Sequence, residues 1–130
     1  MNEFPATPQA PLSWGELIDR ITILDIKTER LATAQARANA ARELALLREI
    51  AGPVFESVKD LASQLKALNR TLWDIEDRIR DHERRSVFDG DFVALARSVY
   101  KRNDERGRIK REINLALGSG LIEEKNYQSY

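Results

Sequence analysis

The 130-residue chain contains no cysteine. That excludes disulfides, thiolate metal sites and a cysteine nucleophile, and it removes any need for an oxidising compartment. Proline and glycine are scarce, four and six residues, and three of the prolines precede residue 12. No apolar run approaches the ~20 residues needed to cross a bilayer, and the start "MNEFPATPQAPLSW" lacks the basic and apolar regions of a secretory leader. The expected location is therefore the cytoplasm. Excess charge is missing as well, because 21 Lys plus Arg balance 21 Asp plus Glu. No net field draws the chain to nucleic acid or anionic lipid, so neither is expected as a partner.

What is present is charge of both signs, 32% of residues, in a chain with few turn-forming residues. This is the composition of helices with solvated faces. A chain of this length is expected to form one domain that removes about two thirds of its unfolded surface from water. Residues 1–12, with Pro5, Pro8 and Pro11, read as a flexible arm. Residues 13–120 read as an all-α antiparallel bundle of three principal long helices, packed up-down-up, and residues 121–130 as a C-terminal tail.

The first predicted helix opens at "LSWGEL". Ser13 is placed as N-cap, Glu16 completes a capping box, and Leu12 and Leu17 are spaced for a hydrophobic staple across it. Leu17, Ile21, Leu24, Thr28 and Leu31 then repeat at three and four residues, with Ile23 and Ile26 set on another side. A helix apolar on two sides is either sandwiched within its own domain or meets a second copy. The second alternative makes Ile23 and Ile26 the candidate interface of a homodimer. The alanine-rich tract "ATAQARANAAR" allows either one helix from 13 to about 50 or a break near Ala32 to Ala36.

Gly52 and Pro53 separate this element from a second helix, 53–85, in which Val54, Val58, Leu61, Leu65, Leu68, Leu72, Ile75 and Ile79 keep a seven-residue repeat. The third helix, about 90–117, has Asp89 or Asp91 as a plausible cap and ends at "GSG". Its apolar face starts with Phe92, Leu95, Ala96 and Val99 and finishes with Ile113 and Leu117. Between them stand Asn103, Arg106, Gly107 and Lys110. On a helix of 3.6 residues per turn, positions 99, 103, 106, 107, 110 and 117 lie within about 60° of one direction. Two cations so placed require partners, since burying them alone would cost several kcal/mol each.

The second helix supplies acids. Asp74 to Glu83 holds five acids against two bases, whereas Tyr100 to Glu112 holds six bases against three acids. In an antiparallel hairpin Glu76 falls level with Val99 and near Asn103, and Asn69 level with Arg106; Asn69, Glu76 and Glu83 repeat at seven. Two readings follow. The group is an ion-pair layer that fixes helix register, or Glu76, Asn103, Arg106 and Lys110 hold an anionic ligand, with Gly107 clearing space on the helix. His82, the single histidine, reads as a satisfied structural residue, and Trp14 and Trp73 as core or interface anchors. No metal-ligand motif or cofactor loop is present, and "GSG" has neither the preceding strand nor the following helix of a phosphate loop.

Three blocks, "SWGELIDRITILDIKTER", "LNRTLWDIEDRIRDHE" and "FVALARSVYKRNDERGRIKREIN" followed by "GSGLIEEKNY", together resemble a family of small bacterial proteins of unknown function. The resemblance implies a bacterial cytoplasmic domain in the setting of surface carbohydrate synthesis, and it supplies no catalytic residues. "ELIDRITILDIKTERL" also looks like the opening helix of all-helical chorismate mutases. That likeness implies a cofactor-free pocket in which Arg20, Lys27, Arg106 and Lys110 clamp a dicarboxylate; the second half of that family's pattern is missing here. The expectation is a non-catalytic helical interaction and oligomerisation module, with a binder of, or small enzyme acting on, an anionic metabolite as the alternative.

Overall fold

A computed structural model describes residues 3–130. Five helices follow in order: α1 (Trp14–Arg30), α2 (Ala34–Ala51), α3 (Val54–Ser57), α4 (Lys59–Arg85) and α5 (Gly90–Ala116). No helix among the described residues is long and apolar enough to cross a membrane. Ser13 caps α1 by accepting the Glu16 backbone N–H at 3.1 Å. The rest of the capping box does not form, because the Glu16 carboxylate turns instead to Arg20 and Lys110. Leu12 stays 42% exposed, so the staple contributes little.

The alanine-rich tract does contain a break, at residues 31–33. Leu31 takes extended backbone and ends α1, and Thr33 caps α2 by accepting the Ala36 N–H at 3.1 Å. A three-residue connector folds α2 back against α1, so the first predicted rod is two helices and the main elements run up-down-up-down. Gly52, at φ 51°, closes α2 in a conformation that disfavours any side chain. The Pro53 start anticipated for the next helix gives only the single turn α3; backbone irregularity at Val58 separates it from α4.

α1 is the central helix, packed against α2, α4 and α5. One apolar cluster joins Ile18 to Val58, Ala62, Leu65 and Leu68 of the α4 side and Ile109 and Ile113 of α5. The other joins Leu17, Ile21 and Leu24 to Ala40, Leu44 and Ala51. Trp14 and Phe55 border both. Full burial of side chains such as Ile18, Leu65 and Ile113 stabilises by roughly 1.5–3 kcal/mol each. Of the two isoleucines off the main stripe of α1, Ile26 is buried within the chain and Ile23 is half-buried.

Ion pairs set the directions. Asp25, Glu29 and Arg30 of α1 meet Lys66, Arg70 and Asp74 in ascending order, so α4 runs parallel to α1. Glu16 and Asp19 meet Lys110 and Arg106 in descending order, so α5 is antiparallel to α1. Because Arg30 ends α1 level with Asp74, the far part of α4 and the first turns of α5 project beyond it as a hairpin. Ser86 in the left-handed region and the Asp89 cap, which accepts the Phe92 N–H at 3.0 Å, close that hairpin. His82 belongs to the same closure: it is buried, and its Nδ1 lies 3.0 Å from the Val87 carbonyl, which fixes that nitrogen as the donor.

Candidate functional site

Along α1, Gly15, Asp19, Thr22 and Ile26 recur at intervals of four, three and four, and all four are buried. This stripe is polar where an ordinary core stripe is apolar, and it faces the polar interruption of α5. At its centre Asp19 is 0% exposed. Arg106 donates from Nε to both carboxylate oxygens at 3.1 Å and from Nη2 to Oδ2. Asn69 of α4 donates to Asp19 Oδ1 at 2.9 Å and to Thr22 Oγ1 at 3.0 Å, and the Thr22 hydroxyl donates to the Asp19 carbonyl at 2.7 Å. The carboxylate is thus enclosed by donors from two other helices, which is the condition for a buried charge to persist. Hydrogen bonding to Asp19 raises the Arg106 pKa above its ordinary value, against the opposing effect of burial.

One turn along α5, Lys110 donates to Glu16 at 2.7 Å and to Glu123 at 3.0 Å. Burial alone would depress its pKa, but the two carboxylates raise it. The same contacts act in reverse on the acids. Glu16 is lowered by Lys110 and Arg20 despite its burial, and Glu123 falls to about 2 through hydrogen bonds from Lys125 and Lys110. A turn further on, Asn114 accepts the Gly15 N–H at 2.6 Å. A Cβ on Gly15 would stand 2.4 Å from the Lys110 carbonyl oxygen, so the α1–α5 crossing requires glycine there.

The partner of the α5 cations is therefore α1 and not the acidic face of α4. Glu76 is exposed, its nearest ion pair is Arg80 at 3.9 Å, and Glu83 is exposed too; of the seven-residue polar series only Asn69 turns inward. The physical reason is that α1 packs against both hairpin helices over this stretch, which brings Asp19 and Glu16 within bonding reach of Arg106 and Lys110. The stripe at positions 15, 19, 22 and 26 was a readable signal. Ile26 is its last member and is 1% exposed inside the chain, so it does not form an open face with Ile23. Gly107 is not a crossing point either: nothing lies within 4 Å of a Cβ placed there.

Two hollows flank Arg106, which lines both. The larger, about 620 Å³, lies between α5 and the C-terminal segment 121–130, which returns along that helix as a strap. Asn103, Gly107, Lys110 and Arg111 line its helix side, and Glu123 and Tyr127 its strap side. Counting all its lining residues, five bases face three acids. The smaller hollow, about 260 Å³, holds Arg20, Ile23, Lys27 and Glu43 beside Asp19. The four cations of a dicarboxylate clamp are thus divided: Arg20, Lys27 and Arg106 border the small hollow, which Lys110 does not line.

Residues 9–130 match a family of unknown function (DUF6165). The chain belongs to that family. The DUF6165 match spans α1 through the strap, so every residue of the seam and of both hollows lies within it. No curated protein and no solved structure matches the chain.

Proposed function

We propose that this DUF6165 member is a small helical binding module that takes an anionic ligand between α5 and the strap. The observation that carries this reading is the 620 Å³ hollow whose helix wall combines Lys110 and Arg111 with a side-chain-free position at Gly107. Preorganised cations beside an open helix surface suit carboxylate or phosphate groups. Binding rather than catalysis is favoured because three groups here are held charged: Lys110 is raised, and Glu16 and Glu123 are lowered. None of these is poised for proton transfer near neutral pH. Phosphorylated sugars join the ligand class through the surface-carbohydrate setting that the family resemblance implies.

A thermal-shift screen with dicarboxylates, sugar phosphates, nucleotides and inorganic phosphates tests the reading. A ligand at 100 times its Kd adds about 2.7 kcal/mol of stability. The increment should vanish in Lys110→Met and Arg111→Ala. A folded protein that none of these anions stabilises removes the reading.

Self-association is a second reading, and its support has moved from Ile23 and Ile26 to the projecting hairpin. There Phe88 and Val93 are 55% and 52% exposed. Sedimentation of wild type and of Val93→Glu distinguishes a homodimer built on this tip from a monomer at all concentrations.

A further inference from the structure

The strap is held to α5 in a way that contrasts with the rest of the fold. From residue 121 onward no backbone–backbone hydrogen bond ties it down among the described residues, and its one backbone contact is the Leu121 carbonyl accepting from the Ser119 hydroxyl at 2.6 Å. Its apolar residues Leu121 and Ile122 remain exposed, so no buried anchor holds it. What does hold it is charge and two tyrosine contacts: Glu123 on Lys110 at 3.0 Å, Glu124 on Arg111 at 3.3 Å, Tyr130 on Asp104 at 2.6 Å, and Tyr130 edge-on to Tyr100. Pairs in which at least the acid is this exposed stabilise only weakly.

The two carboxylates also sit where an anionic guest would. Lys110 keeps Glu16 at 2.7 Å if Glu123 leaves, but Glu16 also accepts from Arg20 at 3.1 Å, so one carboxylate then serves two cations. Arg111 has Glu124 as its one ion-pair partner among the described residues. Removing the strap therefore uncovers two successive cations on α5 beside Gly107, with Arg106 still committed to Asp19.

Building on the anion-binding reading, we propose that Glu123 and Glu124 are internal stand-ins for the ligand, and that the ligand carries two adjacent anionic groups and enters by displacing the strap. A diphosphate is the simplest member of that class. The strap then acts as a selectivity filter: an anion engaging one cation leaves the other carboxylate in place, whereas a two-group ligand replaces both.

The test uses the full chain, inorganic pyrophosphate and, as the single-group control, orthophosphate, measured by calorimetry on wild type and on the Glu123→Gln/Glu124→Gln variant. Both substituted residues are partly exposed, so folding should be unaffected. Expected are pyrophosphate binding to wild type, about tenfold tighter binding to the variant, and a smaller gain for orthophosphate. Pyrophosphate should also speed tryptic cleavage after Lys125 in wild type. Equal affinities in the two proteins, or weaker binding to the variant, overturn displacement while the cavity remains an anion site. An orthophosphate gain as large as that for pyrophosphate overturns the two-group assignment. Absence of binding to either protein removes both this inference and the reading beneath it.

Discussion

Two layers of ion pairs run along the same stretch of α5 with the same chemistry and opposite surroundings. In the inner layer Arg106 meets an Asp19 that is wholly buried and held by Asn69 as well. In the outer layer Lys110 and Arg111 meet Glu123 and Glu124, whose side chains are 40% and 76% exposed. Low dielectric and complete hydrogen bonding make the inner pair costly to break, whereas in the outer layer water competes for Glu123, Glu124 and Arg111, and only Lys110 is itself buried. The difference matches the two roles that one polar interruption suggests: Asp19 joins α1 to α4 and α5 in the inner layer, and the exposed carboxylates of the outer layer are the ones we propose a ligand replaces.

The largest effect should come from breaking the inner layer. Arg106→Ala leaves the buried Asp19 carboxyl short of its main partner, which by analogy with broken buried pairs costs roughly 3–5 kcal/mol. The lower end is expected, since the Arg106 side chain keeps some contact with water and Asn69 remains. Urea denaturation measures this. A double variant, Arg106→Met with Asp19→Asn, should recover part of the loss because no charge is left unpaired. If Arg106→Ala unfolds no more easily than wild type, the inner layer has no structural role.

Next comes the crossing that lets the two layers exist. Gly15→Ala puts a methyl group against backbone, the Lys110 carbonyl, which cannot swing aside as a side chain tip would. Overpacking of this kind costs about 1–3 kcal/mol. It should also separate α1 from α5, lengthening the Asn114 bond to the Gly15 N–H that now measures 2.6 Å, and hydrogen exchange at that amide reports it.

Much of this arrangement could be read from residue order alone. The heptad of α4 was visible because Val58, Leu65, Leu68, Leu72 and Ile75 are apolar and do point inward. The caps at Ser13 and Asp89 were visible because capping depends on local spacing. Arg106 and Lys110 stood out as polar residues on an apolar face. Their partners did not, for Asp19 and Glu16 come from a helix some 90 positions away, and the choice between them and the acids of α4 depends on which helix is central. Gly107 drew attention by sitting in a helix interior, while Gly15, in the first turn, is the glycine that packing requires. The strap was legible as a tail but not as a wall, because ion pairs to Glu123 and Glu124 leave no periodic trace.

A smaller and opposite effect is expected at Gly107. Nothing occupies the space a Cβ would enter, so Gly107→Ala should stabilise α5 by about 1 kcal/mol through helix propensity alone. Gly107→Leu should fold equally well yet project into the hollow between α5 and the strap, weakening binding of any anion seated there. Loss of stability in Gly107→Ala would mean that the helix surface at this point is packed after all, and the contrast between a closed inner layer and an open outer one would fail.

The smallest effect tests the outer layer directly. Glu124→Gln should change global stability by less than about 0.5 kcal/mol, as for other exposed pairs. The acid response of the outer layer runs through Glu123. Its folded-state pKa, about 2, lies below the ordinary value of 4.5, so its contribution is complete above pH 4.5 and is lost as pH falls toward 2. Over that window the strap should detach while the helices persist, seen as line narrowing of the Tyr127 and Tyr130 ring resonances without loss of helical circular dichroism. Loss of helix at the same pH as strap release would show that the two layers are one cooperative unit.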